Sequence, residues 1–305
     1  SKGFAYSLSS EDSFMELIKR ADTAMYAAKE SNDQNYAVFT PEMAEKVQGQ
    51  LQLERDLHKA INNDEFEVYF QPIMESDGKK VHSLEALIRW HHPVNGLIPP
   101  NIFIPIAEES GIIHKISTIV VDQVLDFLQM LETDEVPLCR ISVNISGREF
   151  NPTHIYGLMD KIRSKGLNDC FEFEMLESYL MGNAEDVISL LEEVRSTGIS
   201  IAIDDFGTGY SSLSYLKKFP IDKIKIDQSL IKDIIFDSND LAITKAVVAI
   251  ARSLNLKVVA EGVETEEHST LLSVVGIDFL QGYHFAKPMP RLEAEQYIKG
   301  YHNLA

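Results

Sequence analysis

The chain of 305 residues has only two cysteines, Cys139 and Cys170. Neither belongs to a C-x-x-C pair, and each opens an apolar, strand-like run. This excludes a disulfide framework and fits two buried thiols in a reducing compartment. No stretch reaches the roughly 18 unbroken apolar residues of a membrane-spanning helix. No signal-peptide pattern stands at the start. A cytoplasmic location is expected, or the cytoplasmic part of a membrane-anchored protein. Positive charge is scarce: 28 Lys and Arg face 47 Asp and Glu, for a net charge of -19. Such a surface repels polyanions and disfavours nucleic-acid polymers as partners. A phosphate-bearing substrate would need the field inverted locally, and bound divalent cations are the means.

Hydrophobic residues make up 45% of the chain, so a large core is available, enough for one barrel or two ordinary domains. Residues 1–40 differ from the rest. SKGFAYSL reads as a short strand. The next run reads as an amphipathic helix, with Leu17, Ala21, Ala24, Met25 and Ala28 on one face. Asn32-Asp33 marks a stop, and YAVF is a second strand. Forty residues cannot bury a core alone, so this small α+β piece must pack on something else or be part of a larger domain. Thr40-Pro41 starts a helix over 41–62, with Thr as the cap and Pro as the first helical residue.

From Glu65 onward, short β-rich runs alternate with helical stretches. The strand candidates are 66–73, 81–90, 140–146, 171–176, 199–206, 222–227, 257–262 and 277–283. Eight strands, most followed by a helical pattern such as 116–132, 184–197, 239–254 or 265–275, predict a TIM-like (β/α)8 barrel over 63–305. The first two candidates are joined only by ESDGKK, whose Asp-Gly marks a hairpin. One strand is therefore expected to run antiparallel.

In such barrels the site lies at the C-terminal mouth of the strands. The strand ends supply Gln71, Glu85 with Arg89, Asn144, Glu174, Asp204 with Asp205, Lys225 with Asp227, Glu261 and Gln281. A single charged residue at a strand end is commonly just emerging into water. Five carboxylates converging on one mouth cannot all stay ionised with Lys225 as their counter-charge. Together with the amide oxygen of Asn144 they form an all-oxygen set that suits Mg2+ or Mn2+. Two hard cations sharing a bridging Asp would match a phosphodiester hydrolase, with the metals about 3.5–4 Å apart. A Schiff-base lysine is the competing reading of Lys225, but surrounding carboxylates would keep it charged.

Glu85-Ala86-Leu87 followed by Ile88-Arg89-Trp90 resembles the motif of EAL domains, a family of cyclic di-GMP phosphodiesterases. The resemblance runs from about residue 50 to 300. It includes Gln71-Pro72, VNIS (143–146), Glu174 to Ser178, DDFGTGYSSL, KIKID (223–227), AEGVE (260–264) and QGYHFAKP (281–288). It implies hydrolysis of cyclic di-GMP to linear pGpG with two Mg2+ or Mn2+ ions per site. It implies that Glu85, Asn144, Glu174 and Asp204 hold one metal, and Asp204, Asp205 and Glu261 the other. Lys225, Glu261 and Asp205 correspond to catalytic positions, with Lys225 orienting the attacking water. Gln71, Leu87, Arg89 and Gln281 correspond to substrate contacts, and Gln281 also to a support of the metal-bound water. Glu177 corresponds to the anchor of the DDFGTGYSS loop, which is tied to homodimerisation in the family. Leu176 stands where the family usually has Thr, which bears on loop anchoring or regulation. His91 and His92 read as structural. The alternative is a silent receptor that binds cyclic di-GMP without cutting it; such domains usually lack a metal ligand, and here none is missing. LIKRADTAMYAAKESNDQNYAVF resembles the C-terminal end of a GGDEF domain, with Asn32, Asp33 and Gln34 departing from its pattern. It implies that an upstream GGDEF or sensory region belongs to the parent chain.

Overall fold

The computed structural model describes residues 1–6, 13–30, 35–137, 139–182, 184–207 and 213–302. Contacts divide it into two compact units, Ser1–Asn63 with Asn101–Ser110, and Asp64–Pro100 with Gly111–Ala305. The Asn32-Asp33 stop, with Gln34, lies outside the described residues.

In the first unit, strands Lys2–Phe4 and Tyr36–Val38 pair in parallel across helix Phe14–Glu30. Gly3 permits this close approach: a Cβ there would stand 2.0 Å from the Ala21 carbonyl oxygen. Ala24 and Ala28 are buried as their spacing predicts. Met25, expected on the same face, is 45% exposed; Gly3 meets its backbone, not its side chain. Helix Pro41–Ala60 begins where Thr40-Pro41 predicts, with Thr40 extended (φ -127°, ψ 154°). The Thr40 hydroxyl makes no capping bond, so the start rests on proline's fixed φ. Helix Pro100–Glu109 groups with this unit.

The second unit is the expected barrel. Its strands are β1 (Phe66–Glu75), β2 (Val81–His92), β3 (Arg140–Asn144), β4 (Phe171–Leu176), β5 (Ser200–Phe206), β6 (Lys223–Ile226), β7 (Lys257–Ala260) and β8 (Phe279–Gln281). From β2 to β8 each strand pairs in parallel with the next. The first strand runs antiparallel to both β2 and β8 and closes the ring. Its reversal is set by the expected hairpin. Gly78 adopts φ 68°, and the Glu75 N–H donates to the Lys80 carbonyl at 2.9 Å. Helices Ile113–Thr133, Pro152–Ser164, Ala184–Ser196, Ser238–Ser253, Glu266–Val275 and Arg291–His302 follow strands β2, β3, β4, β6, β7 and β8.

Two layers of side chains follow from the alternation along each strand. On β2, Leu84, Ala86, Ile88 and Trp90 are all buried, while Ser83, Glu85, Leu87 and Arg89 share the opposite face. Aromatic packing carries much of the apolar layer: the Phe70 and Phe127 rings stand 4.2 Å apart. Inside the barrel, Ile73, Val259 and Phe279 form an apolar cluster. Beside it lies a buried ion pair, Lys223 to Glu172 at 2.8 Å. The polar residues at the strand ends therefore stand on a filled interior, not over a pore.

Phe127 is fully buried against Phe70. Phe127→Ala is expected to destabilise the barrel by about 3–5 kcal/mol, measured by denaturant unfolding of the variant against the parent chain.

Candidate active site

Lys225 on β6 is fully buried, and its ammonium is the centre of the site. Its Nζ lies 2.7 Å from Glu174 on β4, 2.7 Å from Glu261 just past β7, 3.2 Å from Asp204 on β5 and 3.3 Å from Glu85 on β2. Five strands thus meet at one cation. An ammonium has three hydrogens, so four carboxylates cannot all be satisfied at once.

A ring of amides continues the network. Asn144 donates to Glu85 Oε1 at 2.8 Å. Gln281 donates to Glu85 Oε2 at 2.6 Å and to the Gln71 oxygen at 3.1 Å. Gln71 in turn donates to the Ala286 carbonyl at 3.1 Å. The antiparallel register places Gln71 directly opposite Glu85. So the one reversed strand still delivers a polar group to the mouth.

Asp204 and Asp205 pose a geometric problem, because neighbours on a strand point to opposite faces. The structure resolves it with a bulge. The β5–β6 register shifts between Ile203 and Phe206, and Asp205 adopts φ 55°. Asp is among the few residues with a side chain that tolerate this left-handed region. Carboxylate oxygens of Asp204, Asp205 and Glu261 then come within 4.8 Å of one another. They are the one such group able to hold a metal ion among the described residues. Glu174 Oε1 and Gln281 Oε1 are buried polar atoms without a hydrogen-bond partner in the described structure. An oxygen-only donor set with unanswered buried oxygens fits a hard divalent cation.

The electrostatics follow from crowding. Burial works against the charge on Lys225, but the four carboxylates outweigh it and hold its proton well above the usual lysine range. Burial also drives Glu174 well above the carboxylate range, and Glu85 and Asp204 add to this against the pull of Lys225. It raises Glu261 to about 8, with Asp204 and Glu85 again adding. Burial, Asp204 and Asp227 raise Asp205 to about 6. For Glu85 burial is outweighed by Lys225 and by the Gln281 and Asn144 donors, and its pKa falls.

Other expected residues stand further out. Leu87 lines a cleft of about 230 Å³ with Gln71, Glu85, Glu261, Gln281 and Tyr283. Arg89 is not brought into the carboxylate cluster; it lies over the Tyr69 ring, 5.5 Å from its centroid, and donates to the Ile88 carbonyl. Glu177 is buried and accepts the Gly207 N–H at 3.0 Å. The rest of its expected loop, Thr208 to Ser212, lies outside the described residues. Leu176 is 44% exposed, opposite Asp204 in the strand register. Asp227 caps the helix Gln228–Lys232 by accepting the Ser229 N–H. His92 is buried, and its Nδ1 accepts the Val94 and Asn95 N–H groups of a turn. His91 pairs with Glu67 at 2.9 Å. Glu264 and Tyr283 line the cleft without having been singled out, although both lie inside the motifs AEGVE and QGYHFAKP. A larger hollow of about 490 Å³ lies in the first unit, flanked by Lys19, Tyr26, Leu51 and Glu109.

The fold and site define a class first: a closed (β/α)8 barrel whose mouth gathers carboxylates around one lysine. Residues 54–288 match the EAL domain, and the chain belongs to that family. It is 41% identical over 287 residues to cyclic di-GMP phosphodiesterase PdeR of Escherichia coli, covering 93% of this chain and 43% of that protein. It is 38% identical over 291 residues to cyclic di-GMP phosphodiesterase NbdA of Pseudomonas aeruginosa, covering 94% and 37%. The solved structure of the PaMucR phosphodiesterase in complex with c-di-GMP shares the fold with a TM-score of 0.77 at 36% identity, over 80% of this chain and 99% of that one. The chain spans about two fifths of the length of the curated relatives it matches.

Glu261 carries the pH dependence. Its folded pKa of about 8 lies above the ordinary 4.5, so the folded state holds a proton that the unfolded state releases. The stability this contributes is full below about 4.5 and lost as pH rises through about 8. Without divalent metal, melting temperature is expected to fall across that window, and Glu261→Gln is expected to flatten the fall. A melting temperature that rises over the same window would contradict the assignment.

Proposed function

We propose that the chain hydrolyses cyclic di-GMP to linear pGpG, with two divalent cations, Mg2+ or Mn2+, at the barrel mouth. One observation carries this: four carboxylates from four strands around Lys225, beside the Asp204–Asp205–Glu261 cluster, in a chain of the EAL family. Relatives named for this activity support the choice of substrate.

Glu85, Asn144, Glu174 and Asp204 would hold the first cation, and Asp204, Asp205 and Glu261 the second. When bound, the cations make water a nucleophile near neutral pH and balance charge on the phosphate. The protein's own groups do the rest. Lys225, held protonated, offers an N–H to the attacking water and keeps it in line with the phosphorus. The bond from phosphorus to the opposite ribose oxygen breaks, the ring opens, and the departing oxygen takes up the proton that the water gives up. With the second cation bound, Glu261 and Asp205 would be ionised and would sit beside the water as it loses its proton. Arg89 is suited to a phosphate oxygen, Leu87 to an apolar wall, and Gln71 and Gln281 to polar contacts with the nucleotide.

The same reading extends to the rest of the chain. Residues 1–40 correspond to the end of a GGDEF-like domain, 41–62 to a connecting helix and 63–305 to the EAL barrel. The EAL resemblance supports a homodimer through the barrel. Among the described residues no helix is long and apolar enough to cross a membrane. A dinucleotide second messenger as substrate supports a cytoplasmic place of action.

Purified chain with cyclic di-GMP and Mn2+ or Mg2+ is expected to yield pGpG on chromatography. Chelation is expected to stop it, and Asp204→Ala or Glu85→Ala to reduce turnover to background. Turnover that survives either substitution would overturn the reading. Tight binding with no product in any metal would make the chain a receptor instead.

A further inference from the structure

Glu149 lies in the turn after β3 and is 2% exposed. A buried carboxylate is costly unless its oxygens are answered, and both of these are. Its Oε1 accepts the backbone N–H of Ser146 at 2.8 Å. Its Oε2 accepts the Ser117 hydroxyl at 2.5 Å and lies 3.3 Å from His154 Nε2. Ser117 comes from the second turn of Ile113–Thr133, and His154 from the first turn of Pro152–Ser164.

A serine, a histidine and a glutamate in contact suggest a nucleophile relay, but the geometry denies it. Ser117 Oγ and Glu149 Oε2 both face the same ring nitrogen, Nε2, at 3.0 and 3.3 Å. Among the described residues no acid stands behind the imidazole to orient it toward the serine. Ser117 is also buried, away from any substrate.

What the cluster does hold is the Ser146 N–H, two residues past Asn144. The side chain of Asn144 has its one described contact at Glu85. The other end of the mouth is built alike. Glu177, also buried, accepts the N–H of Gly207, two residues past Asp205. Each of these glutamates clasps the backbone just beyond a candidate metal ligand, and neither belongs to the Asp204–Asp205–Glu261 cluster.

We infer that Glu149 is a positioning residue: it fixes the chain after β3, through the Ser146 N–H, so that Asn144 presents its amide to the first cation. Ser117 and His154 hold Glu149 in place. The inference rests on the proposed metal-dependent hydrolysis.

The test is calorimetric Mn2+ binding to substrate-free protein, with steady-state kinetics alongside. Glu149→Ala is expected to weaken Mn2+ binding about tenfold or more. The KM for cyclic di-GMP should stay within about twofold, since Glu149 does not touch the cleft. Glu149→Gln keeps an acceptor for the Ser146 N–H and should restore most of the affinity. An alanine variant that melts earlier yet binds Mn2+ like the parent would overturn the inference. If that variant does not fold, Ser117→Ala decides: a loss of about two- to fivefold in Mn2+ affinity supports the positioning role, and no loss overturns it. A parent chain that neither binds Mn2+ nor makes pGpG would instead overturn the functional reading, and this inference with it.

Discussion

One buried ammonium group ties the barrel mouth together. Lys225 reaches carboxylates on or just past four other strands: β5 and β7 flank its own strand, while β2 and β4 do not. The contact exists only because the sheet closes. Glu85 lies on β2 and Glu261 just past β7, far apart in the chain, and the β8–β1–β2 pairing brings them to one point. Removing one partner of such a buried set leaves charge without an answer, while a wholly apolar set would fold at least as well. The arrangement is therefore one that stability alone does not select. It concentrates negative charge where hard cations can enter.

The layers beneath show how the protein tolerates this. Two residues below Glu174 and Lys225, on the same two strands, Glu172 and Lys223 form a buried pair of one charge each. Beside that pair the interior is apolar, at Ile73, Val259 and Phe279. Net charge thus grows toward the mouth, from none to an excess of carboxylate. Burial acts on that excess by raising Glu174 and Glu261, so part of the crowding is relieved by protons until a stronger cation competes for the same oxygens.

Much of this was legible in the residues. Eight β-rich runs with helical patterns between them carried the barrel, and Asp77-Gly78 carried the reversed first strand. The strand ends placed Glu85, Glu174, Asp204, Lys225 and Glu261 at one mouth, because a closed parallel sheet leaves them nowhere else to meet. What could not be read depends on local backbone or on contacts between distant segments. The bulge at Asp205 leaves no pattern beyond two adjacent acids. Met25 fits a helical apolar stripe, but the stripe cannot show that Gly3 would pack on backbone there. Arg89 shares the inward face of Glu85 by alternation, yet its guanidinium rests on Tyr69. Glu149 has no periodic signal at all; its partners come from two helices and a turn.

The left-handed backbone at Asp205 also limits how the site can drift through single substitutions. Two demands fall on one residue: a backbone that accepts positive φ and a short carboxylate. Asparagine meets the first and gives up the charge. Glycine meets it more easily and gives up the side chain. Glutamate keeps the charge, but its longer side chain overshoots and its backbone resists the turn. No neighbouring choice satisfies both demands, so Asp205 sits on an isolated peak, reachable from its alternatives only through a damaged intermediate.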